Sequence, residues 1–252
     1  MIHHSTRPTR TAAPAGTIRV ASIDVEWTKN YRIKNGNQAF CVSVVWLDIP
    51  DRGPSADLGN LTFQYASAYL EPGETSADLA AHADTVFRDA LDDAHLITGH
   101  QLCSDLGVLA ANATTPVPAI TAARQQWKTR RTEKTPFTDT RFDADHLLSG
   151  KSRRLVDVCT ELALDVTQPE LRGTSMTALH RAWLNDGDDQ ARGRVSVLNL
   201  RHSLSTALVA ARAEHLGTWE HLNVNTMLAR QITGQWDWTT TPAFTQLLQG
   251  EP

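Results

Sequence analysis

An apolar run that ends in two acids constrains the fold of this chain more than any other feature. Residues 18–23 are typical of a core β-strand, and Asp24 and Glu26 follow directly. Because side chains alternate along a strand, these acids share one face and Val25 takes the other. Adjacent carboxylates repel, and burying them is costly unless a positive charge lies between them. The spacing predicts a divalent metal ion there; the alternative is two solvated acids at a wet strand end.

The composition indicates a chain that can bury a large core. It has 252 residues, of which 41% are hydrophobic, and a net charge of −4. That charge does not indicate nucleic-acid binding, although the placement of positive charges matters more than their sum. The three cysteines are far apart and form no Cys-x-x-Cys pair, so no disulfide framework is expected. Cys41 and Cys159 lie in apolar segments and are expected in the core.

The ends of the chain are expected to differ from its middle. Residues 1–16 are rich in Thr, Pro, Ala and basic residues, which predicts a flexible arm rather than a signal peptide. Residues 17–216 are expected to form the main domain, and residues 217–252 an extension packed on or beside it. No run approaches the roughly 18 apolar residues that span a bilayer, so no membrane contact and a cytoplasmic location are expected.

The hydrophobic pattern predicts an α/β fold with a mixed sheet. Three strands joined by short loops indicate an antiparallel meander, and helices then alternate with short strands. A polar loop is expected at 29–38, and a loop or short strand at 234–241. The predicted strands are 17–28, 39–49, 61–70, 95–99 and 137–140, and the predicted helices are 76–94, 105–113, 119–131, 155–164, 176–184 and 197–216.

Two motifs resemble those of the DEDD (DnaQ-like) 3′→5′ exonucleases. The first is Asp24-Val-Glu26, which matches that family's Asp-x-Glu on the first strand. The second is the segment 99–105, in which Gly99, His100 and Asp105 match Gly-His-Asn-x-x-Phe-Asp, with Gln for Asn and Ser for Phe. The resemblance covers residues 17 to 212 in order. It implies a ribonuclease H-like fold, with a mixed central sheet flanked by helices.

The last motif of that family departs from its pattern here. The family ends with His-x-x-x-x-Asp or Tyr-x-x-x-Asp on the final helix. The helix that carries Asn199 and His202 resembles it in position, but Ala207 stands five residues after His202. An earlier match, from His180, has Asn185 in place of the acid and Asp186 one residue late, a rotation of about 100° on a helix. The fourth carboxylate is therefore missing, with Asp139, Asp143 or Asp186 as alternative replacements.

The resemblance implies two-metal hydrolysis of the terminal phosphodiester of single-stranded DNA or RNA. Mg²⁺ or Mn²⁺ is the implied cofactor, because hard ions take oxygen ligands. Asp24 would bridge two ions, Glu26 would bind one ion and the 3′ end, and Asp105 would complete the coordination. His202 is the candidate general base. With one acid missing, a weak second metal site is expected, and activity could be low or restricted to Mn²⁺.

Aromatic and basic residues are candidates for nucleic-acid binding. Trp27 follows the second acid and could stack on a base, although a Trp at a strand end more often packs in the core. The segment 124–134 carries five positive charges, and a second basic cluster follows at 151–154. A solvated helix face is the ordinary interpretation of such a run. We predict phosphate contacts by Lys128, Arg130, Arg131, Lys151, Arg153 and Arg154.

Several alternatives remain open from sequence. Asp105 could be a helix N-cap, His100 could cap a turn, and His202 could be an ordinary core or surface histidine. The chain could be a nucleic-acid-binding or scaffold protein on the same fold with a decayed metal site. It could also be an unrelated α/β enzyme in which the acids are accidental. The absence of a Gly-rich phosphate loop and of Gly-x-Ser-x-Gly argues against nucleotide-cofactor enzymes and α/β-hydrolases.

Overall fold

A computed structural model describes residues 1–7, 11–29 and 36–248. It has an α/β architecture with a mixed six-stranded sheet flanked by helices. The main strands are β1 (Ile2–Ser5), β2 (Thr17–Thr28), β3 (Gln38–Pro50), β4 (Phe63–Tyr69), β5 (Leu96–Gly99) and β6 (Phe137–Asp139). The two-residue strands β7 (Leu164–Asp165) and β8 (Leu222–Asn223) pair separately. The helices are α1 (Ser76–Asp93), α2 (Leu102–Asn112), α3 (Pro118–Thr129), α4 (Leu155–Glu161), α5 (Met176–Asp186), α6 (Asp189–Ala213), α7 (Val224–Ile232) and α8 (Pro242–Thr245).

The main sheet combines an antiparallel meander with two parallel strands. Its order is β1-β4-β3-β2-β5-β6. Strands β2, β3 and β4 are antiparallel neighbours, whereas β5 and β6 run parallel to β2. The carboxyl ends of β2, β5 and β6 therefore lie at one edge of the sheet. The predicted meander and mixed sheet are confirmed.

Each face of the sheet is covered by a hydrophobic core. Along β2, Val20 joins the core that contains residues of α6 and α7. Ala21, Ile23 and Val25 join the core formed with α1, α2 and α3. This alternation follows from the two-residue period of a strand, and it directs Asp24 and Glu26 toward α6. Cys41 and Cys159 are both fully buried, as expected.

The N-terminal segment differs from the predicted flexible arm. Ile2–Ser5 forms an edge strand that pairs antiparallel with β4, because β4 would otherwise leave its outer backbone groups unpaired. Arg7, which belongs to the predicted arm, is buried and forms an ion pair with Asp93 at 2.7 Å. Residues 8–10 of the predicted arm, and residues 30–35 of the predicted polar loop, lie outside the described residues.

Several predicted helix boundaries are wrong, and two of them have a local reason. Helix α6 begins at Asp189 rather than at residue 197, because the side chain of Asp188 caps it by accepting from the Ala191 N–H. Helix α4 ends at Glu161, since Ala163 adopts the left-handed conformation with φ of 58° and β7 follows. Helix α2 begins at Leu102 rather than at Asp105.

The C-terminal segment is part of the core. Trp219, Trp236 and Trp238 are buried in the cluster that contains α6. The predicted loop or short strand at 234–241 is a 3-10 turn over Asp237–Thr240. Within the described ranges, no helix is both long and apolar enough to cross a membrane.

Candidate metal centre

Asp24, Glu26 and His202 form a cluster that could hold a metal ion. One ligand atom from each lies within 4.8 Å of the others. Strand β2 supplies the two carboxylates on one face, and α6 crosses that face and supplies the imidazole. His202 Nδ1 is 3.3 Å from Glu26 Oε1 and 3.6 Å from Asp24 Oδ2. All three side chains are partly exposed, so the cluster is open to solvent.

The orientation of His202 is fixed from its other side. Its Nε2 donates to Gln168 Oε1 at 3.2 Å, which leaves Nδ1 directed at the acids. A hydrogen bond to one ring nitrogen determines what the other can do, as is usual for metal-binding histidines. Gln168 carried no recognisable signal in the sequence, because it follows the two-residue strand β7 and belongs to none of the motifs.

The ionisable groups of the cluster shift each other's pKa values. Burial alone would lower the pKa of His202, but hydrogen bonds to Asp24 and Glu26 and their negative charges raise it to about 10. Burial raises the pKa of Glu26, and the hydrogen bond from His202 opposes that rise. Without a metal ion, His202 therefore carries the positive charge that the acids need at neutral pH.

Asp105 is not one of the three residues of the cluster. It is buried in the first turn of α2. Burial raises the pKa of Asp105 well above its usual range, and the charges of Asp24 and Glu26 add to this effect. Asp105 thus lies within electrostatic reach of both acids.

Asp105 does not cap its helix. The N-cap position of α2 is Gln101, with φ of 64°, and the N-cap interpretation of Asp105 is wrong. Asp139, at the end of β6, performs that function from outside the helix. Its carboxylate accepts from the N–H groups of Gln101 and Leu102, both at 2.9 Å, and from Trp127 Nε1 at 2.9 Å. This arrangement places a negative charge at the positive end of the helix.

None of the three acids considered as a fourth ligand joins the cluster. Asp139 is fully buried and is occupied at the start of α2. Asp143 forms ion pairs with Arg130 and Arg131. Asp186 is the exposed last residue of α5. The position nearest Asp24 on α6 is taken instead by Asn199, whose Nδ2 donates to Asp24 Oδ2 at 2.5 Å.

His100 also does more than cap a turn. Its Nδ1 is 3.0 Å from Thr140 Oγ1, and its Nε2 donates to the Arg153 carbonyl at 2.9 Å. Burial lowers the pKa of His100 to about 4, so the ring is neutral at pH 7. The ring thus joins the loop around residue 153 to the end of β6.

Most of the predicted phosphate-binding cations are already paired. Arg130 is buried, contacts Asp143 at 2.6 Å and stacks on Trp127. Arg131 also contacts Asp143, at 2.9 Å. Lys128 and Lys151 are exposed, and no ion pair involves either of them in the part of the chain that the structure describes. Arg153 pairs with Asp145 at 2.6 Å, and Arg154 lies 3.9 Å from Asp157.

Trp27 lies beside a cavity near the end of β2. The register of β2 and β3 shifts between Glu26 and Trp27, which is typical of a β-bulge. The Trp27 ring packs at the margin of the core that contains α1 to α3. It lines a cavity of about 420 Å³ together with Ser104, Gly107 and Arg124. The aromatic face and the cation are therefore both available next to the strand that carries the acids.

Comparison of the sequence with known protein families and with curated proteins finds no match. The resemblance to the DEDD exonucleases thus stays a prediction.

Proposed function

We propose that this protein is a metal-dependent 3′→5′ exonuclease that acts on single-stranded DNA or RNA ends. The convergence of Asp24, Glu26 and His202 within 4.8 Å carries the proposal. His202 is more than 170 positions from Asp24 and Glu26 in the sequence, yet the three side chains meet on one face of the sheet. Two acids that lay there by accident would need no such partner. The donor set fits a hard divalent ion, since carboxylate oxygens suit Mg²⁺ or Mn²⁺ and imidazole is compatible with Mn²⁺.

The architecture supports the same proposal. An antiparallel meander followed by strands parallel to the first is the arrangement that a ribonuclease H-like fold implies. Asp105 follows β5, the strand next to β2, as the second motif of the family would require. Helix α6 crosses the face of the acids and brings its fourth turn to Asp24, as the final motif would require.

The chemistry follows from these side chains. A bound divalent ion would supply a water of lowered pKa and stabilise negative charge on the leaving oxygen. Asp24 and Glu26 hold the charge that attracts the cation. His202 would no longer have to carry the positive charge once a cation is bound, which would free Nδ1. Gln168 keeps the proton on Nε2, so that Nδ1 could then take a proton from the attacking water. Nδ1 has one lone pair and serves either as this base or as a ligand at any one time.

A second candidate function is supported by the charge of His202. Hydrogen bonds and the charges of Asp24 and Glu26 raise the pKa of His202 to about 10, which outweighs the opposing effect of burial. A protonated His202 neutralises the acids without any metal ion. The protein would then be a nucleic-acid-binding or scaffold protein on the same fold, with a decayed metal site.

Degradation of end-labelled oligonucleotides separates the two functions. Single-stranded DNA and RNA, labelled at either end, are incubated with Mg²⁺ or Mn²⁺ and wild type, Asp24→Ala or Asp51→Asn. Asp51 is an exposed acid at the opposite end of β2 and β3, and its removal controls for the loss of one negative charge. We expect stepwise loss from the 3′ end that is abolished by EDTA and by Asp24→Ala but not by Asp51→Asn.

The same assay can contradict the proposal. If wild type cuts neither substrate with either ion, while oligonucleotide binding survives Asp24→Ala, the binding function is supported instead. Cleavage that is equally fast in wild type and Asp24→Ala would exclude the acidic cluster as the catalytic centre.

A further inference from the structure

The amide of Asn199 is held at both ends beside the acidic cluster. Asn199 is fully buried on α6. Its Nδ2 donates to Asp24 Oδ2 at 2.5 Å, and its Oδ1 accepts from the thiol of Cys41 at 3.5 Å. A carboxylate and an amide oxygen both accept only, so the thiol is the donor of the second pair. The two partners therefore fix which end of the amide faces Asp24.

This orientation matters for the number of cations that Asp24 can hold. Two ions about 4 Å apart are held by a carboxylate that offers one oxygen to each. The amide hydrogens of Asn199 lie against Asp24 Oδ2, where they present partial positive charge. Oδ2 also lies 3.6 Å from His202 Nδ1, so a cation bound to this oxygen would have to displace the amide hydrogens, and Asp24 keeps only Oδ1 for an ion. Such a cation would gain no ligand from Asn199, because the amide oxygen is turned toward Cys41.

The buried surroundings make rotation of the amide costly. Turning Asn199 by 180° would direct Oδ1 at Asp24 and its N–H groups at the Cys41 sulfur, which is a weak acceptor. The neighbouring polar pair, Ser43 Oγ and Ser203 Oγ at 2.7 Å, is already satisfied internally. An unpaired donor in such a buried site is destabilising.

We propose that Asn199, oriented by Cys41, restricts the acidic centre to a single divalent cation. Asn199 and Cys41 are positioning residues, because they act through Asp24 and need not touch substrate. The inference rests on the proposed metal-dependent function and determines its stoichiometry. Replacing the amide with a carboxylate provides an oxygen ligand where the amide now presents hydrogens.

Counting bound Mn²⁺ tests this inference without any measurement of activity. The full chain is titrated by calorimetry, and electron paramagnetic resonance distinguishes isolated from spin-coupled Mn²⁺. Wild type is expected to bind one Mn²⁺. Asn199→Asp is expected to bind two that are spin-coupled, with the second at least 10-fold tighter than any second ion in wild type. Asn185→Asp is the control, since it makes the same amide-to-carboxylate change at an exposed position of α5 and is expected to keep one ion.

A matched pair at Cys41 covers the case in which Asn199→Asp does not fold. Cys41→Ala removes the donor to Oδ1, frees the amide to rotate and is expected to admit a second, weaker Mn²⁺. Cys41→Ser retains a donor and is expected to keep one ion.

The number of bound Mn²⁺ ions distinguishes failure of this inference from failure of the proposed exonuclease function. One Mn²⁺ in wild type, unchanged in Asn199→Asp and Cys41→Ala, overturns this inference alone. Two ions in wild type also overturn it while leaving the exonuclease proposal intact. No Mn²⁺ in wild type would contradict both proposals, because the acidic cluster would then be occupied by His202 only.

Discussion

At the scale of single residues, the environment decides the charge of each histidine. His202 lies against two carboxylates, which raise its pKa to about 10 against the effect of burial. His100 and His180 lie in buried sites where desolvation lowers their pKa to about 4. The same side chain is therefore a cation in one part of the molecule and neutral in two others. No sequence pattern distinguishes these cases, since the neighbours come from distant segments.

His180 makes the stability of the protein depend on pH. It stacks on Phe40, with ring centroids 3.9 Å apart, and its Nδ1 shares a hydrogen bond with the Tyr69 hydroxyl at 3.1 Å. Because burial lowers its folded-state pKa from 6.5 to about 4, its contribution is present above pH 6.5 and is lost as pH falls toward 4. From pH 7 to 5 the expected loss is about 1 to 2 kcal/mol.

Chemical denaturation at pH 7 and pH 5 measures this effect. The double variant His180→Phe, Tyr69→Phe keeps the ring stacking and removes both the titrating group and its partner. Its free energy of unfolding is expected to fall less over this pH interval than that of wild type. Equal pH dependence in the two proteins would exclude His180 as the source.

At the scale of secondary-structure elements, a buried ion pair joins α6 to the 3-10 turn at Pro169–Leu171 and contacts the C-terminal segment. Arg201 and Glu170 form two contacts, at 2.6 and 2.7 Å, and both side chains are fully buried. Arg201 also donates to Asn225 Oδ1 at 2.7 Å, and Trp238 Nε1 donates to Glu170 Oε1 at 3.0 Å. The pair thus helps to hold α7 and the 3-10 turn at Asp237–Thr240 against α6.

Removing one partner leaves the other charge buried and unpaired. Glu170→Gln is expected to destabilise the protein by about 3 to 5 kcal/mol. Arg201→Met, Glu170→Leu removes both charges and is expected to cost less than Glu170→Gln alone. Denaturant unfolding of the three proteins measures this difference. A single variant as stable as wild type would show that solvent reaches the pair.

At the scale of the whole molecule, the C-terminal segment closes the core over α6. Trp219 donates to the Leu162 carbonyl at 2.9 Å, and Trp236 packs over Gly193 on α6. A chain that ends at Leu216 would expose the apolar face of α6 and lose three buried tryptophans. Each buried side chain of this kind contributes about 3 kcal/mol or more. We expect the shortened chain to lack a cooperative thermal transition; a cooperative transition near that of wild type would contradict this.

The surface charge of the molecule is expected to guide a nucleic-acid strand through few residues. Lys128 and Lys151 are exposed and lack an ion-pair partner among the described residues, whereas Arg130 is held by Asp143. Lys128→Glu, Lys151→Glu is expected to weaken single-strand binding and to reduce the salt slope by about 0.7 per lost phosphate contact. Lys134→Glu serves as a matched control on the same basic segment. Unchanged affinity and slope in the double variant would exclude these lysines.

Secondary-structure elements that depend on local periodicity could be predicted from the amino-acid sequence. Strand β2 was predicted over the residues it occupies, and the shared face of Asp24 and Glu26 follows from its two-residue period. The meander and the succession of helices were predicted for the same reason. The edge strand Ile2–Ser5 was not predicted, because it depends on a partner distant in sequence. The eight-residue extension of α6 was also missed, although its cap at Asp188 is local.

The surroundings of Asp24 and Glu26, in contrast, depend on contacts between residues that are distant in sequence. Gln168 orients His202, Cys41 orients Asn199, and Asp139 rather than Asp105 caps α2. These contacts join residues 34, 158 and 37 positions apart, and no local periodicity encodes them. Hydrogen bonds and charge interactions depend on separation in space. Packing of α6 against the sheet therefore determines which side chains reach Asp24.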